Sequence, residues 1–153
     1  MELKKIVLTL FLLIFANKLN SAMILPQKIL SPYDVVEIQL NALKNNNSPS
    51  KNSGIKQVWL FAHPDNRKST GPFKKFQKMI YSKQYEHLIE HNTHTVKLIM
   101  NTSVKYVFGV EILNKNKEIF FYEWHVEKGN DLDCKNCWFT SAVSIPVNQG
   151  NTI

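Results

Sequence analysis

Two side-chain rhythms divide the chain, and they change over near Thr93. Before that point apolar residues recur at helical spacing. Val36, Leu40 and Leu43, with Gln39 among them and Val35 and Ala42 widening the stripe, mark one face of a helix that should bury against another element. Ser31-Pro32-Tyr33-Asp34 starts this helix: Ser31 can cap it, Pro32 has no N–H to leave unpartnered in the first turn, and Asp34 suits the positive end. The helix should run to Lys44. Residues 45–54 are rich in Asn, Ser, Pro and Gly and read as a loop. Residues 55–62, with Val58, Trp59 and Phe61, read as a short helix stopped by Pro64, and 64–71 as a polar turn. Pro72 opens a further helix with Phe73, Phe76, Met79 and Ile80 on its apolar side, and Tyr85, Leu88 and Ile89 extend the helical spacing.

From His94 onward the period is two. Val96, Leu98 and Met100 alternate with Thr95, Lys97 and Ile99, and Tyr106, Phe108, Val110 and Ile112 with Lys105, Gly109 and Glu111. Phe120, Tyr122, Trp124 and Val126 then alternate with Phe121, Glu123, His125 and Glu127, and residues 138–145 supply a fourth strand. Asn101-Thr102-Ser103 and Asn114-Lys115-Asn116 are short enough for antiparallel hairpins. Helices followed by a run of antiparallel strands predict an α+β domain, its N-terminal helices packed in the concave face of a bent sheet of about four strands.

The N-terminus follows neither rhythm. Lys4 and Lys5 precede an apolar run, residues 6–16, and Asn20-Ser21-Ala22 ends a short polar stretch. This is the layout of a secretory signal peptide, and the run is shorter than the roughly 20 residues that span a bilayer. The expected organisation is a signal at 1–22 (an anchor if uncleaved), a linker at 23–30, one domain at 31–147 and a tail at 148–153. The expected location is exported: periplasm, lumen or secreted.

The 153-residue chain carries a formal net charge of +7, almost all of it from lysine, with Arg67 the lone arginine. Sequence-specific nucleic-acid reading relies on arginine's planar fork, so no specific nucleic-acid partner is expected. Lys74, Lys75 and Lys78 read as a solvated helix face rather than a polyanion site.

Chemistry is sparse. Cys134 and Cys137, the two cysteines, form a C-x-x-C followed by strand-forming residues rather than a helix, which removes the usual device for lowering a thiol pKa. A zinc shell would need two more ligands. A disulfide or a buried Cys137 is therefore favoured over a redox pair or a metal site, and no metal or cofactor is expected. His87, His91 and His94 would share one side of an unbroken helix, but Asn92-Thr93 breaks it, so the rings should diverge to the surface or a helix end. Glu123 and His125 share a strand face, as an acid/base pair or as the solvent side, with solvent favoured. His63 and Asp65 flank Pro64 in what reads as a capping turn. Arg67 either clamps an acidic ligand or, the favoured reading, pairs with Asp34 or Glu37. Asn46-Asn47-Ser48 and Asn101-Thr102-Ser103 fit the glycosylation pattern.

The order of elements resembles the cone-shaped, cystatin-like fold of nuclear transport factor 2 and ketosteroid isomerase. More closely, Ser31-Pro32, Val35-Val36, Gln39-Leu40, Ala42-Leu43, Gly54-Ile55, the block WLFAHPDNRKSTGPFKKF, then Met79, Tyr85, Leu88 and Cys137-Trp138 resemble domain-of-unknown-function family 4864 within that superfamily. Cys137 belongs to the matching pattern and Cys134 does not, which weakens the case for a working C-x-x-C. The resemblance implies fold rather than activity, because the superfamily holds isomerases, dehydratases and non-catalytic binding members.

The leading expectation is a non-enzymatic exported module that binds a small molecule or a protein, as monomer or homodimer. Trp59, Arg67, Tyr85, Tyr106, Trp124 and Trp138 are its candidate pocket residues. The alternative is a cone-fold isomerase or dehydratase with His125 or Glu123 as general base. Membrane attachment enters only if the N-terminal segment stays uncleaved.

Overall fold

The computed structural model describes residues 22–151; the apolar run expected as a signal lies outside them. The described chain runs through α1 (Pro32–Lys44), α2 (Ser53–Leu60), α3 (Pro64–Thr70), α4 (Phe73–Ile80) and a 3-10 turn (Glu86–Leu88). It then forms β1 (Thr93–Asn101), β2 (Lys105–Leu113), β3 (Glu118–Asp131), β4 (Cys134–Val143) and β5 (Val147–Asn151).

α1 begins as its sequence dictates. Ser31 Oγ accepts from the Asp34 N–H, and Asp34 Oδ2 in turn accepts from the Ser31 N–H, which closes a capping box. Ser31→Ala should cost about 1 kcal/mol of stability, read from urea unfolding. Val35, Val36, Gln39, Leu40 and Leu43 all turn inward and are buried. α2 crosses α1 at Gly54, where a Cβ would sit 2.1 Å from the Ala42 carbonyl oxygen. The crossing is held by a buried loop residue: Asn46 Oδ1 accepts from the Ile55 N–H, and its Nδ2 donates to the Tyr81 hydroxyl. Asn46 is fully buried, so the first glycosylation triplet is closed off in the folded chain.

The sheet is antiparallel, in the order β1-β2-β3-β4. β5 pairs with β3 at 118–121, ahead of the stretch 124–131 that pairs with β4, so residues expected as a tail complete the sheet. Register shifts at Leu98/Met100, His125/Val126 and Gly129/Asn130 place extra residues on single strands, and such bulges bend and twist a sheet. The result is an α+β fold in which the helices pack against one face of a bent, open sheet. Phe108, Val110 and Ile112 of β2 and Phe120, Tyr122, Trp124 and Val126 of β3 face the helices and are buried, in the predicted alternation.

Three local differences from the sequence reading have physical causes. Residues 64–70 form a helix rather than a turn, because the His63 ring Nδ1 accepts from the Asp65 N–H and Pro64 fills the first turn. α2 ends at Leu60 because residues 61–63 pair with β4 through a bridge at Ala62: the Thr140 N–H donates to the Phe61 carbonyl and the His63 N–H to the Thr140 carbonyl. Along β1, Val96 packs on the core, but Leu98 and Met100, on either side of the bulge, are 52% and 54% exposed.

Candidate functional site

The hollow of the cone is occupied by side chains. Trp124 and Tyr122 are 1% and 0% exposed beneath α1, and their polar ends are bonded inside. Trp124 Nε1 donates to Thr140 Oγ1, which also accepts from Gln39 Nε2, while the Tyr122 hydroxyl donates to the Gln84 carbonyl. Burial raises the Tyr122 pKa above the usual phenol value. The other ring candidates belong to the same packing. Trp59 lies edge-on to Phe73 and tilted against Phe76, Tyr106 lies edge-on to Trp138 at 5.2 Å, and Tyr85 donates to the Val143 carbonyl.

Arg67 finds neither Asp34 nor Glu37. It pairs with Asp131 at the tip of the β3–β4 hairpin. Burial works to raise the Asp131 carboxyl, but the Arg67 hydrogen bond, the Leu132 N–H and the guanidinium charge hold it below the usual carboxylate range. Beside it Cys134 and Cys137 form a disulfide that closes the bulge at Asn136, with Cys137 fully buried. His125 Nε2 lies 3.5 Å from Glu123 Oε2 with side chains 26% and 51% exposed, on the strand face opposite Trp124. An acid/base pair so open to water lacks the enclosure that strengthens proton transfer.

The histidines behave differently from the sequence expectation. His87 leaves the other two and stacks on Phe120, ring centres 3.7 Å apart. His91 and His94 meet across the Asn92-Thr93 turn, their rings linked Nε2 to Nδ1 at 2.7 Å. Against a carbonyl a ring nitrogen must donate, so His91 Nδ1–H bonds the Leu88 oxygen at 2.7 Å and its Nε2 accepts from His94. His94 Nε2 reaches Glu37 Oε2 at 3.3 Å, which also accepts from Asn41 Nδ2. Burial is the chief cause that brings the His91 pKa down to about 4, and the Leu88 bond opposes it. The charge of Glu37 is likewise the chief reason that the Tyr33 phenol titrates above its usual value. Each ring nitrogen of the relay is thus already bonded, which leaves no free base for a substrate. Among the described residues no group of three or more His, Cys, Asp or Glu is placed to hold a metal ion.

Glu37 also lines a groove of about 600 Å³. One wall is the outer face of α1, where Asp34, Glu37, Ile38, Asn41, Ala42 and Asn45 recur at helical spacing opposite the buried stripe. α2 contributes Gly54 and Gln57, and the loop after α1 adds Ser48 and Pro49. Residues 22–30 lie across it as a strap. Gln57 holds the strap at Ile24 by both ends of its amide: the Ile24 N–H donates to Oε1 at 2.8 Å, and Nε2 donates to the Ile24 carbonyl at 2.7 Å. No sequence pattern pointed to Gln57. The one legible signal for this face was the polar stripe of α1, which alone reads as a solvated side. No family model, no curated protein and no solved structure matches this chain.

Proposed function

We propose that this chain is a non-catalytic, exported binding domain whose ligand site is the groove between the strap 22–30, α1 and α2. The observation that carries this reading is the groove itself. Its volume of about 600 Å³ falls within the size range of small-molecule sites, and Ile24, Leu30, Ile38, Ala42 and Pro49 give it apolar walls. The sequence placed the pocket inside the cone, but the rings named for it are packed against other rings or hydrogen-bonded to neighbouring residues. The outer face of α1 offers the space that the inner face lacks.

Two further features support the reading. The His91–His94–Glu37 chain beside the groove already has its ring nitrogens bonded, which suits the site to holding a molecule rather than transforming it. The Cys134–Cys137 disulfide fits an oxidising compartment, as does the signal-like N-terminal run. No helix of the described residues is long and apolar enough to cross a membrane. Kinship with the cone superfamily is part of the same proposal, supported by the element order and the bent sheet.

A neutral apolar dye tests this directly. Nile red should bind the protein saturably with one site per chain, and Asn41→Trp, which places an indole into the groove from an exposed helix position, should abolish binding without lowering the melting temperature. Unchanged binding in that variant would move the ligand elsewhere.

A further inference from the structure

The groove carries a charge opposite to that of the chain. Among the described residues Asp34 and Glu37 are its ionisable lining residues, and no lysine, arginine or histidine joins them, although the chain's formal net charge is +7. The carboxylates stand three residues apart on α1, on the same side of the helix. Asp34 Oδ2 serves Ser31, and Glu37 Oε2 serves His94 and Asn41. Hydrogen bonding to Ser31, first through the side chain and then through the backbone, keeps the Asp34 carboxyl below its usual range, so it stays charged at neutral pH.

Apolar walls continue from this acidic end towards Ile38, Ala42 and Pro49. A neutral apolar guest would gain from those walls but bring no charge to the carboxylates. An anion would be repelled by both. An apolar chain ending in an ammonium would satisfy walls and carboxylates together, since opposite charges near a protein surface attract more strongly than in bulk water.

We infer that the groove selects apolar cations, with an alkylammonium as the fitting ligand class and Asp34 and Glu37 as the residues that receive its charge. This rests on the binding function proposed above and adds its selectivity. Ile24 and the Gln57 amide close one side of the groove, where the strap between residue 22 and Leu30 is fixed.

Three probes with the same ten-carbon chain separate charge from apolar binding: decyltrimethylammonium, 1-decanol and decanoate, each kept below aggregation and read by Nile red displacement. The cation should bind at least about tenfold more tightly than the alcohol, and decanoate more weakly than either. The advantage should shrink as salt is raised. Asn41→Lys, one turn from Glu37 at an exposed position, should remove the cation preference, read as the ratio of cation to alcohol affinity, and Glu37→Gln should act in the same direction. Equal binding of cation and alcohol in the native chain would overturn the charge selectivity and leave the binding function standing. A cation preference that survives both substitutions would place the selectivity outside this groove and also overturn the inference. Binding of none of the three probes would remove the binding function itself.

Discussion

Gly54→Ala should destabilise the protein by about 3 kcal/mol and lower its melting temperature by about 10 °C. The new Cβ would lie 2.1 Å from the Ala42 carbonyl oxygen, 2.8 Å from the Ala42 carbonyl carbon and 2.8 Å from the Asn46 Cα. All three are main-chain atoms of α1 and of the loop that caps α2, so no side-chain rotation relieves the clash. Separating the helices would also pull Asn46 from the Ile55 N–H and loosen the groove wall. Gly109→Ala is the internal comparison. Its added methyl meets the Phe121 ring at 2.8 Å and Ile99 Cδ1 at 3.3 Å, which are side-chain atoms able to shift, so its cost should be clearly smaller. Thermal unfolding of the two variants side by side checks this; equal losses would mean that the α1–α2 crossing is not a tight contact.

The second large effect is a loss of stability in mild acid. His91 is 3% exposed and titrates near 4 in the folded chain, against an ordinary value near 6.5. The unfolded chain therefore takes up the proton first. The stabilisation from keeping His91 neutral is complete above pH 6.5 and is lost as pH falls through about 4, amounting to on the order of 3 kcal/mol. The groups facing His91 set this direction: the Leu88 carbonyl favours the proton, while burial and the positive charges of His94 and Lys44 oppose it. The stabilised carboxylates, Asp34, Asp65, Glu90, Glu127 and Asp131, lose their contribution at lower pH, which leaves the upper part of the window to His91. His91→Gln should be less stable than the native chain at pH 7.5 and much flatter between pH 6.5 and 4.5. A native profile already flat over that range would show His91 to be accessible to protons in the folded state.

The fold was legible because its signals are local and repetitive. The buried stripe of α1 and the alternation of Tyr106 to Ile112 and of Phe120 to Val126 each follow from one face meeting the core, and each appears in the structure at the expected residues. α3 was misread because its cap is an imidazole nitrogen, a residue type outside the usual capping set. β5 was misread because Val147–Asn151 has no apolar alternation and is held by main-chain pairing to β3.

The site was much less legible. His91 and His94 meet through a turn, whereas spacing arguments assume a continuous helix. Glu37 and Gln57 are ordinary polar residues of helix surfaces; what sets them apart is the strap that crosses above them, a contact between residues 33 positions apart. The aromatic residues offered the opposite lesson. A large ring on the inward face of a strand is as able to fill a hollow as to line one, and only the depth of α1 in the cone decides between the two. Trp124, with its indole N–H bonded to Thr140, decides for filling.

The central claim is that the inside of the cone is solid and that ligands are held on the far side of α1. Amide and indole ¹⁵N NMR during titration with 1-decanol tests it most directly. Shifts are expected at Ile24, Ile38, Ala42 and Gln57 with the Trp124 indole signal unmoved; a titrating Trp124 indole, with the Ile24 and Gln57 signals still, would put the ligand inside the cone instead.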